Sequence, residues 1–263
     1  LDFAVDIVCT LVTCKYPPYF FLKFSIIKSF LLPLCDYSIG CNVYFSVDEI
    51  NHLSEKYTVY VYMNKFLHRD IEKFREIYNS FNKSIKFVCE ELGLQNIIEK
   101  DRFILYENHI LSNYVAVNYL SDCGINNVVV NNDLTIDELT TIADKTKSNL
   151  YYFYCSKNMI MYSRRNLVNN YFDHFKYQDK VNKLELDEKT THMKLDITDE
   201  KDGSTLRYGK IFCASKYKDK LSKYNLIYEA FFIFDADKFF CLVLSSELGF
   251  FTGEEIIIVV DPG

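Results

Sequence analysis

The chain of 263 residues has no tryptophan, no CxxC pair and no excess of positive charge. The first absence leaves the core to 21 tyrosines and 22 phenylalanines. The second makes structural zinc a poor reading, because pairs such as Cys9 with Cys14 or Cys35 with Cys41 lack the usual ligand spacing. The third, a formal net charge of −6, speaks against a protein that coats long DNA or RNA through phosphate contacts. No DNA partner is expected, although a local patch can still meet a small or folded RNA.

Further absences narrow the field. Neither GxGxxG nor GxxxxGK[ST] follows any strand-like run, so the phosphate-loop nucleotide folds lose support. None of the five histidines belongs to HExxH, and no GxSxG elbow occurs. A Cys155–His109 dyad is compatible with the composition, yet nothing in the spacing requires it. Long apolar runs are missing too. The stretch "PPYFFLKFSIIKSFLLPLC" is broken by Lys23 and Lys28, and uncharged runs in the first 34 residues reach about eight residues. A bilayer span needs roughly 20. The order of a signal peptide is also missing, so no membrane partner is expected. Nine cysteines, several inside apolar runs such as those of Cys89 and Cys241, read as buried free thiols of a reducing, cytoplasmic compartment.

What is present is an alternation of helix and strand. Ser46 with Glu49, and Thr135 with Glu138, are capping boxes, each ahead of apolar residues at helical spacing. "HRDIEKFREIYNSF" carries Ile71, Phe74, Ile77, Tyr78 and Phe81 on one stripe. A helix is expected from Ser112, closed by Gly124 in a left-handed position. Between these lie the strand-like runs "TVYVYMN", "IKFVCE", "RFILYE", "NNVVV" and "LYYFYC". Such alternation implies parallel strands joined by right-handed crossovers, in a (β/α) barrel or an open doubly wound sheet. After about Asp173 the pattern becomes β-like, with one helical segment expected around Lys218 to Tyr224.

In parallel α/β folds ligands sit beyond the carboxyl ends of the strands. Those ends carry Asn64 and Lys65, Glu90 and Glu91, Glu107 to His109, Asn131 to Asp133, and Cys155 to Asn158. Lys216, Lys218, Lys220 and Lys223 form a basic cluster, read as a solvated face or an RNA phosphate contact.

With these ends in hand the chain resembles the peptidase U32 family of collagenase-like proteins. The resemblance is carried by "DYSIG" and "FSVDEI", "VYMNK", "FVCEELGL" with Glu91 where Asp is usual, and "NHILSNY" with His109 and Asn113. It continues through "GINNVVVNNDLTIDEL", "MYSRRNL", "DEKDGST" and the tail "GFFTGEEIIIVV". It implies a TIM-like (β/α) barrel over residues 36–263, with the last 90 or so residues β-rich. Residues 1–35 do not match, which leaves the barrel open to being incomplete at its N-terminus.

The resemblance further implies substrate-binding candidates at Asn64, Lys65, Glu91, His109, Asn113, Arg164 and Arg165. Many family members hydroxylate RNA or ubiquinone with a [4Fe–4S] cluster, and two of its cysteine positions fall here on Met159 and Asn166. No cluster is therefore expected. The tRNA-modifying relatives imply prephenate as co-substrate, a dianion that Arg165 could hold bidentately. The competing role for Arg165 is an ion pair with Glu138 or Glu91. Three functions stay open: a nominal protease with no visible catalytic residues; hydroxylation of the tRNA wobble uridine, as enzyme or beside a paired family member; and a non-catalytic paralogue acting as an interaction protein.

Overall fold

The computed structural model describes residues 9–11, 29–41, 43–68, 70–107, 109–229, 231–235, 238–242 and 258–260. The family-like tail at residues 249–257 lies outside them.

Local sequence rules set the first helices. Both capping boxes form, at Ser46 ahead of α1 (Val47–Ser54) and at Thr135 ahead of α4 (Ile136–Lys145). In α2 (Ile71–Tyr78) the stripe buries Phe74 and Tyr78. The third helix, α3 (Tyr114–Asp122), starts two residues later than expected. Asn113 rather than Ser112 is its cap, with Oδ1 accepting from the Ala116 amide at 2.9 Å. Gly124 follows at φ +90°, the left-handed position that its lack of a Cβ permits.

The strands between the helices are β1 (Cys9–Leu11), β2 (Ser29–Pro33), β3 (Thr58–Met63), β4 (Lys86–Cys89), β5 (Phe103–Tyr106), β6 (Asn127–Val129) and β7 (Asn149–Ser156). A later strand, β13 (Tyr224–Glu229), returns to lie parallel between β7 and β1. Hydrogen-bonded neighbours run β7-β13-β1-β2-β3-β4-β5-β6, all parallel, and β6 pairs in turn with β7. The result is a mixed α/β fold with a curled parallel sheet flanked by helices, compatible with a TIM-like barrel. Strand β2 lies within the segment that the sequence sets apart as residues 1–35, yet it is in register with β3 from Ser29–Thr58 to Pro33–Tyr62.

Period two divides the strand side chains between two cores. Val59, Val61 and Met63 of β3 face the helices with Phe74, Phe87 and Leu105. Tyr60 and Tyr62 face inward, where they meet Leu31, Val88, Ile104, Tyr106, Val129, Tyr151, Phe153 and Ile227. Ring centroids of Tyr62, Tyr106 and Phe153 lie 5.4–6.3 Å apart, so aromatic edges fill the space that tryptophan would otherwise take.

Between β7 and β13 the chain builds a separate antiparallel sheet, in the order β8 (Met159–Ser163), β11 (Gly203–Tyr208), β10 (Lys194–Glu200) and β9 (Lys183–Asp187). Helix α5 (Leu167–Phe175) packs on it, and Asp199 accepts from the Val168 and Asn169 amides at the helix start. The short β12 (Phe212–Cys213) then runs antiparallel to β7. The segment expected to be helical around Lys218 to Tyr224 is a 3-10 helix, Ser215–Leu221, and Tyr224 already begins β13. Lys220 and Lys223 pair with Asp137 and Asp144 of α4, so part of the basic cluster fastens that turn to the fold. A last antiparallel sheet joins β14 (Phe231–Asp235), β15 (Lys238–Leu242) and β16 (Ile258–Val260).

The thiol reading is corrected. Cys155 and Cys213, opposite each other in the β7–β12 ladder, form a disulfide, and free Cys35 and Cys123 are exposed rather than buried. Cys41 and Cys89 are buried, as expected.

Candidate active site

The antiparallel sheet lies across the carboxyl ends of the parallel strands. Arg207 of β11 donates to the Lys157 carbonyl at 2.6 Å and to the Gly40 carbonyl at 2.8 Å. Glu200 of β10 accepts from the Gly40 amide and the Tyr44 hydroxyl, and Tyr208 donates to Asp133 at 3.0 Å. Lys65 bridges the Asp36 carbonyl and the Asp202 carboxylate at 3.0 and 2.7 Å. Charge-assisted contacts of this kind fix the small sheet as a cover with openings at its sides.

One opening is a cleft of about 80 Å³ lined by Phe66, Glu90, Tyr106, His109 and residues 159–162. Phe66 and Tyr162 stack at 6.2 Å across it. Burial pushes the Glu90 carboxyl up to about 8, and the nearby Glu107 and Glu91 add to the shift. At neutral pH Glu90 therefore carries a proton that it can donate. Burial raises the Tyr62 and Tyr162 phenols as well, while the Arg164 guanidinium opposes the rise at Tyr162. Arg164 also contributes to holding Asp70 low, behind the hydrogen bond and charge of Lys73 and the charge of Lys65.

The sequence candidates separate into two groups. Several are occupied by the fold. Asn64, fully buried, exchanges two 2.9 Å hydrogen bonds with the Ile39 backbone and fixes the loop ahead of Cys41. Lys65 makes the bridge to Asp202, Glu91 caps the 3-10 helix Leu92–Asn96, and Asn113 caps α3. Others remain available. His109 lines the cleft, and Arg164 and Arg165 are exposed. Neither guanidinium makes a hydrogen bond or ion pair among the described residues; Glu138 is taken by Thr135 and Glu91 by Gly93, so the expected ion pair of Arg165 is not formed. Asn64 is thus turned to the Ile39 backbone and not to the cleft that His109 lines.

Glu90 is the residue that sequence reasoning passed over in favour of Glu91. The signal was the strand period: Val88 faces the inner cluster and Cys89 the outer one, so Glu90 continues inward and Glu91 outward.

At the two positions where the resemblance places cluster cysteines, Met159 lines the cleft and Asn166 precedes α5. A thioether and a carboxamide are not the thiolates that hold iron–sulfur clusters. The donor set does not fit that group, and no step is derived through it. The Cys155–His109 dyad is removed by the disulfide.

The cleft offers a proton donor and stacked aromatic faces, and the two free guanidinium groups follow β8 in the chain. No curated protein and no solved structure matches the chain. A family model described as Peptidase family U32 matches residues 45–181, from just before α1 to just after α5, and this stretch contains Glu90, His109, Arg164 and Arg165. With more than half of its length matched, the chain belongs to peptidase family U32.

Proposed function

We propose that the chain serves in hydroxylation of the tRNA wobble uridine, as enzyme or as accessory subunit, on a complete (β/α) barrel. The carrying observation is the cleft in which protonated Glu90 lies near the stacked Phe66–Tyr162 pair, with unpaired Arg164 and Arg165 just beyond β8. Flat aromatic walls suit a base turned out of its stack, and guanidinium groups suit phosphate or a carboxylate co-substrate such as prephenate. A neutral carboxyl can donate to a carbonyl or release a proton to a leaving oxygen. Peptide hydrolysis is supported less well, because Cys155 is tied to Cys213 and no histidine is hydrogen-bonded to a serine or cysteine among the described residues.

The test is mass spectrometry of tRNA nucleosides from cells lacking the chain. Loss of 5-hydroxyuridine derivatives supports the proposal, and an unchanged profile refutes it. A second reading, a non-catalytic interaction protein, is favoured by one observation: the polar groups of Asn64, Lys65, Glu91 and Asn113 are engaged in structural bonds.

A further inference from the structure

The covering sheet is an insertion between β7 and β13, and one covalent bond closes its neck. Cys155, the last residue but one of β7, is bonded to Cys213 at the end of β12, and β8 to β11 all lie between them. The two cysteines stand in different surroundings. Cys155 is 1% exposed and packs with the outer core, whereas Cys213 is exposed. A thiol in solution can therefore reach the bond from the Cys213 side. Accessible disulfides are the labile and regulatory ones, and buried ones are inert.

The sheet has other attachments. Arg207 and Glu200 reach Gly40, and Lys65 meets Asp202. The bond bears instead on the arm that leads out of the sheet, residues 209–213. The Gly209 amide still donates to the Lys194 carbonyl, but residues 210–213 are exposed. Their pairing with the barrel is a ladder of two residues, Phe212 with Ser156 and Cys213 with Cys155. Next to it the Ala214 amide donates to the Tyr154 carbonyl at 2.9 Å. So short a ladder, with little buried apolar area behind it, opens readily on its own. Ala214 and Leu221 are buried, which confines such opening to the arm. The arm is also a wall: Lys210, Ile211 and Phe212 border a cavity of about 550 Å³ whose other side includes Asp133, Leu134 and Asn158.

We infer that the Cys155–Cys213 bond is a redox latch. Oxidised, it pins residues 209–213 as one wall of the cavity; reduced by a dithiol, it releases the arm while the barrel and the covering sheet keep their structure. One thiolate of the dithiol attacks Sγ of Cys213, the S–S bond breaks, and Cys155 leaves as a thiolate that takes up a proton. The second thiol of the reductant then attacks the mixed disulfide, frees Cys213 and leaves the reductant as its own disulfide. Two electrons pass from the dithiol to the protein, and an oxidant that carries a disulfide reverses both steps. The latch stands whether or not the reaction proposed for the Glu90 cleft is the one supported there.

The experiment is hydrogen exchange followed by mass spectrometry on the full chain without denaturant, before and after treatment with dithiothreitol, with alkylation to count thiols. Reduction should free both Cys155 and Cys213 and speed exchange in the peptide covering 209–214 about tenfold or more, with β3, β11 and β13 unchanged. Oxidised glutathione should restore the slow rate. In Cys213→Ser the arm should exchange at the fast rate with or without reductant, and in that variant the unchanged exchange of β13 reports an intact fold. A bond that resists dithiothreitol in the folded chain overturns the inference, as does reduction that leaves the exchange of 209–214 unaltered. Acceleration spread over the whole barrel also overturns it, because the bond would then be a general support and not a latch. These readouts need no tRNA, so a failure here is separable from an unchanged nucleoside profile in cells.

Discussion

Replacing Glu90 with glutamine should make the protein more stable at alkaline pH and leave it unchanged at acid pH. The folded chain holds the Glu90 carboxyl at about 8, against 4.5 ordinarily. Below about pH 4 folded and unfolded chains both hold the proton. Between about 4.5 and 8 the unfolded chain releases it and the folded chain does not, so stability falls as pH rises. Above about 8 the penalty is complete. One unit of displacement corresponds to about 1.4 kcal/mol, which puts the upper bound near 5 kcal/mol; water at the mouth of the cleft reduces it to roughly 2–3 kcal/mol. Glutamine keeps the volume and cannot ionise. Thermal unfolding of both proteins from pH 5 to 9 should give equal Tm at pH 5 and an advantage of about 5 °C for Glu90→Gln at pH 8.5, at about 2 °C per kcal/mol for a chain of this size. Parallel curves would refute the buried, protonated acid, and so would a Glu90 carboxyl resonance that titrates near 4.5.

Other outcomes follow from single contacts. Gly203→Ala should cost more than about 3 kcal/mol in chemical denaturation, because at φ +140° its Cβ would lie 2.0 Å from the Ser163 carbonyl, backbone that cannot yield cheaply. Asp199→Ala should cost about 3 kcal/mol and expose α5 to hydrogen exchange. Burial works to raise that carboxyl, but bonds from Ser204 and from the Asn169 and Val168 amides outweigh it and hold the group low. Peptide mapping without reductant should recover Cys155 and Cys213 in one cross-linked species, with Cys35 and Cys123 open to alkylation before unfolding. The paired change Arg164→Glu with Arg165→Glu should shift Tm by less than about 2 °C, since neither side chain supports the fold.

The parts of this fold legible in the sequence are those set within a few residues. Ser46 with Glu49 and Thr135 with Glu138 announce helices because a cap needs only its own first turn. The strand ends were legible for a similar reason, since apolar runs stop where the sheet does. Contacts between distant segments were not. The role of Asn64 depends on Ile39, 25 residues away, and the Cys155–Cys213 bond on a ladder between segments 58 residues apart. Strand β13 was hidden because the lysine-rich turn before it has helical spacing, and its place between β7 and β1 is decided by the sheet alone. The covering sheet read as a β-rich tail; nothing local to Arg207 or Glu200 reveals that they reach Gly40.

Central to the proposed function is that Arg164 and Arg165, the free cations that follow β8, serve in the tRNA reaction. The most direct measurement is nucleoside mass spectrometry of tRNA from cells lacking the chain, complemented with the unaltered chain or with the Arg164→Glu, Arg165→Glu variant at matched protein level. The account predicts that 5-hydroxyuridine derivatives return with the unaltered chain and stay absent with the variant. Full restoration by the variant, or no loss in the first place, would contradict it.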